Sequence, residues 1–81
     1  MESSQVATVI AESITRARPA LASTPQDDIL QMTLADLALD SLDTTTLSLD
    51  IEDACQVLVE PEDLANCERL SDLVTLVVGK S

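Results

Sequence analysis

The residues most capable of chemistry in this chain gather around Ser41, in the run Asp36-Leu37-Ala38-Leu39-Asp40-Ser41-Leu42-Asp43. A nucleophilic serine needs a base to take its proton, and the sequence has no histidine. No Gly-x-Ser-x-Gly elbow surrounds Ser41, and Lys80, close to the end of the sequence, is a poor substitute base. Asp36, Asp40 and Asp43 are close enough in sequence to suggest paired carboxylates, but nothing marks a pocket that would drive their pKa values apart. The two thiols, Cys55 and Cys67, have no CxxC spacing and no histidine beside them, so a tetrahedral zinc site is excluded. The sequence leaves a disulfide between them open. They read best as small buried hydrophobes in a reducing cytoplasm. Asp40, Asp43, Asp50, Glu52 and Asp53 share a calcium loop's composition without its spacing or its central glycine, since the one glycine is Gly79. Diffuse association with divalent cations is compatible with these acids; a structural metal site does not follow.

The elements that must hold Ser41 are helical. Val6, Ile10, Ile14 and Ala17 recur at helical spacing and predict a first helix over 3–18, started by Ser3 or Ser4 and closed by Pro19. The segment 19–40 reads as a long connection with turn signals at Ser23, Thr24, Pro25 and Asp27-Asp28 and a weak helical turn over 24–30. It carries Leu21, Ile29, Leu30, Met32, Leu34, Leu37 and Leu39, so it must lie across the domain. A second helix begins at Ser41 and runs to Cys55 or Val57. At about 100° per residue, Leu47, Ile51, Ala54, Cys55 and Leu58 share its core face. Leu42, Thr45, Thr46 and Leu49 lie roughly opposite, flanked by Asp43, Asp50, Glu52 and Asp53. A competing arrangement tucks Leu42 into the core under the preceding loop. Pro61 opens a short third helix that takes in Leu64 and Cys67. A final helix over 71–78 buries Leu70, Leu73, Val74 and Val77, with Ser71 and Asp72 at its start and Gly79 at its end.

Composition narrows the function. Eighty-one residues suit one small domain, here residues 1–81, with little room for an enclosed catalytic cleft. The sequence lacks Phe, Tyr and Trp, so the core is aliphatic and base stacking on aromatics is unavailable. Fifteen acids against four bases give a net charge of −11, which repels phosphate backbones and anionic membranes. All the acids except Glu2 and Glu12 fall between Asp27 and Asp72, a span whose one base is Arg69. Self-repulsion should therefore weaken the fold at low ionic strength. Basic protein surfaces are the natural partners, and nucleic acid is not expected. No signal peptide or membrane-spanning run is evident, so neither secretion nor membrane insertion is expected.

Taken alone, Asp40-Ser41-Leu42 is an ordinary helix cap. In context, the run Asp36 to Asp43 resembles the Asp-Leu-Gly-x-Asp-Ser-Leu signature of acyl carrier proteins. The likeness extends over nearly the whole chain: an N-terminal helix, a long loop, the signature, an acidic second helix, the turn Glu60-Pro61-Glu62-Asp63 and a final helix. It departs at Ala38, where the signature has glycine and where a slightly different turn is expected. It departs also in lacking a phenylalanine and in carrying Thr44-Thr45-Thr46 in the second helix, which makes a specialised pathway reasonable.

The resemblance implies a small four-helix bundle, all-α, with a long loop between helices one and two and a short third helix. It implies that Ser41 receives 4′-phosphopantetheine from coenzyme A through a phosphopantetheinyl transferase, with Asp40 and Leu42 as signature neighbours. The arm's thiol would carry acyl groups as thioesters to loading, condensing or tailoring enzymes of fatty-acid, polyketide or related biosynthesis. Those enzymes would bring basic patches to Asp43, Thr45, Thr46, Leu49, Glu52 and Asp53. The physics agrees: a hydroxyl at a helix start is exposed and fixed in direction, and its phosphate would sit near backbone amides at the positive end of the helix. The chain would then be a cytoplasmic monomer with no catalysis of its own. Two alternatives stand beside this reading. One is a peptidyl or aminoacyl carrier, including a D-alanyl carrier; the other is an unmodified acidic helical adaptor.

Overall fold

The computed structural model describes residues 2–80. Three long helices, α1 (Ser3–Ala17), α4 (Ser41–Cys55) and α6 (Leu70–Lys80), enclose the core. Three short ones, α2 (Gln26–Gln31), α3 (Leu34–Leu37) and α5 (Pro61–Ala65), lie between them. The described residues contain no strand, and the helices expected of an acyl-carrier-type bundle are all present. α1 packs against both α4 and α6, and α2 closes over α1 and α6.

Each long helix buries the stripe its period predicts. α1 contributes Val6, Ile10 and Ile14, α4 Leu47 and Ile51, and α6 Leu70, Leu73 and Val77, all essentially removed from solvent. With no aromatic ring available, these branched side chains carry the hydrophobic term, at roughly 1.5–3 kcal/mol for each fully buried one. Cys55 and Cys67 are free thiols buried with them, as the small hydrophobes expected.

Several ends differ from expectation. α1 is capped by Glu2, whose N–H donates to Gln5 Oε1 (3.4 Å), while Ser3 and Ser4 already lie inside the helix. α4 ends where Gln56 turns left-handed (φ 58°), without a glycine, and its N–H donates to Glu52 O (2.9 Å). Helical spacing therefore stops before Leu58, which was expected in the core. Val57 and Val59 go inward instead, and Leu58 is 58% exposed. Ala54, also assigned to the core, is exposed on the flank of the Leu47–Ile51–Cys55 stripe. Gly79 lies within α6, not beyond its end. The last described turn is held by Lys80, whose ammonium pairs with Asp63 Oδ2 (2.9 Å) and ties α6 to α5.

The long connection is more ordered than its turn signals suggest. A 3₁₀ turn at Pro19–Leu21 follows the proline stop, and α2 takes up the weak helical signal. Ile29 and Leu37 are buried, and Leu21, Leu30, Met32, Leu34 and Leu39 pack half-buried on the core. A short antiparallel bridge fixes the segment to the start of α6: Leu34 N–H donates to Glu68 O (3.0 Å) and Leu70 N–H to Met32 O (3.2 Å). Arg69 Nη1 adds a bond to Gln31 O (2.7 Å).

Candidate functional site around Ser41

Ser41 is the first helical residue of α4, and Asp40 precedes it as the cap. The Asp40 backbone is extended, which lets its Oδ1 accept from the N–H of Asp43 (2.8 Å). The capping duty suggested for the Asp-Ser pair thus falls on Asp40. Ser41 is exposed, and its hydroxyl makes no hydrogen bond within the described residues. Two threonines brace the turn beneath it. Thr44 Oγ1 donates to Asp40 O (3.2 Å) and Ser41 O (3.0 Å), and Thr45 Oγ1 donates to Ser41 O (2.8 Å).

The approach to Ser41 is fixed from the other side by α3. Thr33 Oγ1 accepts from Asp36 N–H (3.0 Å) to start that helix, and Leu37 anchors it in the core. Ala38 ends it in the left-handed conformation (φ 50°, ψ 44°), the backbone state for which glycine is ordinarily suited. The turn expected to change at Ala38 therefore adopts a glycine-type conformation with alanine in place. Arg18, from the end of α1, reaches across to it. Its Nε donates to Leu37 O (3.2 Å) and its Nη2 to Ala38 O (2.9 Å), and Nη2 also pairs with Asp43 Oδ2 (3.1 Å).

The residues expected to meet partners divide. Leu42 is 72% exposed and Leu49 54%, so Leu42 does not tuck into the core. Thr45, Thr46, Glu52 and Asp53 are exposed alongside them. Asp43 is rotated about 100° from Leu42 and turns instead toward Arg18, half-buried and ion-paired. Between α4 and α5 runs a groove of about 230 Å³, with Thr45, Ser48 and Leu49 on one wall and Leu58, Val59 and Leu64 on the other. A larger opening of about 420 Å³ is lined by α1, α2 and Thr24, including Ala11, Thr15 and Ile29, and shares no residue with the Ser41 site.

All four bases are engaged internally: Arg16 with Asp50, Arg18 with Asp43, Lys80 with Asp63, and Arg69 with the Gln31 carbonyl. Glu52 and Asp53 consequently face solvent without a cation in the described structure. Burial pushes the Cys55 and Cys67 thiols up, Cys67 further through Asp72 and Asp63, so neither is a ready nucleophile. Among the described residues no cluster of three or more His, Cys, Asp or Glu side chains could hold a metal. Among the described residues no helix is long and apolar enough to cross a membrane.

The geometry is that of a helical domain that presents an unengaged hydroxyl at the start of a capped helix. A family model described as the phosphopantetheine attachment site matches residues 4–77, and the chain belongs to that family. Its members carry 4′-phosphopantetheine covalently. No match was found among curated proteins or among solved structures.

The residues at the start of α4 fit such a group. The N–H groups of Ser41 and Leu42 have no hydrogen-bond acceptor within the described residues, as first-turn amides lack one by construction. They lie at the positive end of a helix of fifteen residues, where a phosphodiester's charge is favoured. Sequence reasoning singles out Ser41, Asp40 and Leu42, and the structure brings beside them two residues that it does not, Arg18 and the bracing Thr44. In the sequence Arg18 is no more than a cation suited to the negative end of the first helix. Nothing in a linear pattern points across twenty residues to a carbonyl.

Proposed function

We propose that the chain is an acyl carrier protein, modified on Ser41, that delivers acyl intermediates to partner enzymes of fatty-acid, polyketide or related specialised biosynthesis. The observation that carries this reading is the free, exposed Ser41 hydroxyl on a helix capped by its neighbour, within the span matched by the family. When bound, the prosthetic group supplies a thiol that holds cargo as a thioester. The chain's own residues do the rest. Asp40 fixes the start of α4, Thr44 and Thr45 brace its first turn, and the Ser41 and Leu42 amides face the phosphate's position.

Partner enzymes dock on Leu42, Thr45, Thr46, Leu49, Glu52 and Asp53, where exposed apolar side chains lie beside unpaired acids. Such a surface favours fast, transient contact with basic patches. Asp43, bonded inward, contributes to the site's shape more than to docking. The apolar groove between α4 and α5 favours acyl over aminoacyl cargo. In this reading residues 1–81 act as one monomeric carrier domain in the cytoplasm, where buried free thiols persist, and the chemistry belongs to its partners.

Incubation with coenzyme A and a broad-specificity phosphopantetheinyl transferase tests the proposal. A phosphopantetheine mass increase that is lost in Ser41→Ala is the expected result. No modification by several transferases would instead leave the acidic adaptor as the better account.

A further inference from the structure

We infer that Arg18 is a positioning residue for the modification of Ser41, locking the residues on both sides of the serine into the geometry the transferase needs. The inference rests on the reading that Ser41 is the modified residue. Its ground is the guanidinium's set of partners. Arg18 bonds the carbonyls of Leu37 (3.2 Å) and Ala38 (2.9 Å) before the serine and the Asp43 carboxylate (3.1 Å) after it. A fourth bond, from Nη1 to Ala17 O (3.1 Å), holds the side chain to the end of its own helix. Only a planar, multiply donating head can reach a loop and a helix at once; a lysine ammonium on a flexible stem cannot hold that fork.

Ala38 gives the clasp its purpose. An alanine at φ 50° sits in a region that L-residues with a Cβ avoid, whereas glycine enters it freely. Arg18 bonds the carbonyl of that very residue, so the chain holds by an external clasp a turn that glycine would hold without help. Without the clasp, Ala38 relaxes toward ordinary backbone and Leu39, Asp40 and Ser41 move with it. In the transfer, Ser41 Oγ forms a bond to the pantetheine-side phosphorus of coenzyme A. The pyrophosphate P–O bond to the adenosine bisphosphate leaving group breaks, and the serine proton passes to a base of the transferase. The step depends on the direction of one hydroxyl, and misplacement of a reacting atom by an ångström can cost about a hundredfold.

Steady-state modification of the full chain by a transferase and coenzyme A tests this. Arg18→Gln should lower kcat by roughly ten- to a hundredfold. KM should stay level or fall, because losing a cation makes the docking face more acidic. Adding Ala38→Gly to Arg18→Gln should restore most of kcat, since glycine holds the turn unaided. Asp43→Asn, which removes the ion pair and spares the carbonyl bonds, should cause a smaller loss in kcat and keeps the test open should Arg18→Gln fail to fold. Wild-type kcat in folded Arg18→Gln, a loss confined to KM, or no recovery with Ala38→Gly would overturn the inference. Absence of modification in the wild-type chain would overturn the underlying carrier reading as well, and so is distinct from a failure of Arg18 alone.

Discussion

Replacing Asp50 with alanine should destabilise the fold more than an average charged-residue substitution, because one carboxylate oxygen accepts two bonds from the neighbouring helix. Asp50 Oδ2 accepts from Ser13 Oγ (2.6 Å) and from Arg16 Nη2 (2.8 Å), joining α4 to α1. The partners differ in environment. Ser13 is 3% exposed, so its hydroxyl has no water to turn to, whereas the Arg16 side chain is 67% exposed and hydrates freely. The bond to the buried hydroxyl is charge-assisted and contributes about 1.5–3 kcal/mol. The exposed ion pair contributes about 0–1 kcal/mol. Alanine's better helix propensity returns about 0.5 kcal/mol. A net loss of about 2 kcal/mol follows, or a fall in Tm of roughly 8–16 °C for a domain of this size. Thermal melts of wild type, Ser13→Ala, Asp50→Ala and the double variant form a cycle in which propensity and net-charge effects cancel. The expected Ser13–Asp50 coupling is about 1.5 kcal/mol. A coupling below about 0.5 kcal/mol, within the scatter of independent sites, would refute the claim that this bond staples the two helices.

Three further outcomes are expected. The Glu60 N–H and the Lys80 ammonium hold the Asp63 carboxyl below its ordinary value. Its contribution is therefore complete above the unfolded value of 3.8 and lost as pH falls through the lower folded one, so the Tm gap between wild type and Asp63→Asn should narrow below about pH 4. A gap that stays constant in acid would remove the link. Cys55 and Cys67 should resist a disulfide reagent at about pH 8 in the folded apo chain, and transferase treatment should add one fast-reacting thiol. Fast labelling of either cysteine before modification would contradict their burial. Finally, the excess of acids should make Tm rise with added salt or Mg²⁺, and a flat response would contradict internal repulsion.

What the sequence made legible was whatever repeats locally. The stripes Val6–Ile10–Ile14 and Leu47–Ile51 announce α1 and α4 because burial imposes a period of 3.6, and Pro61 announces α5 because proline suits a first turn. The Ser41 signature is likewise contiguous. What escaped depends on parts of the chain that meet only after folding. Arg18 reads as a cation at a helix end, and its bonds to Leu37, Ala38 and Asp43 exist only once α1 and α3 are brought together. The helical wheel puts Leu58 in the core only if the helix continues past Gln56, which ends it with a left-handed turn that its side chain does not advertise. Serine and aspartate are nearly equal as helix caps in general, so the sequence lets Ser41 share the cap, and only geometry assigns the bond to Asp40.

That assignment reaches beyond one molecule. Because Asp40 carries the cap, the fold places no demand on the Ser41 side chain, and loss of that hydroxyl leaves the outward surface as it was. Under the proposed modification of Ser41, a copy with alanine at this position would fold, display the same acids and leucines, and never be loaded. With the proposed docking face intact, such a copy mixed with working ones would act as a decoy, occupying each partner enzyme in proportion to its abundance. Output would then fall by competition well before the supply of loaded carriers ran short.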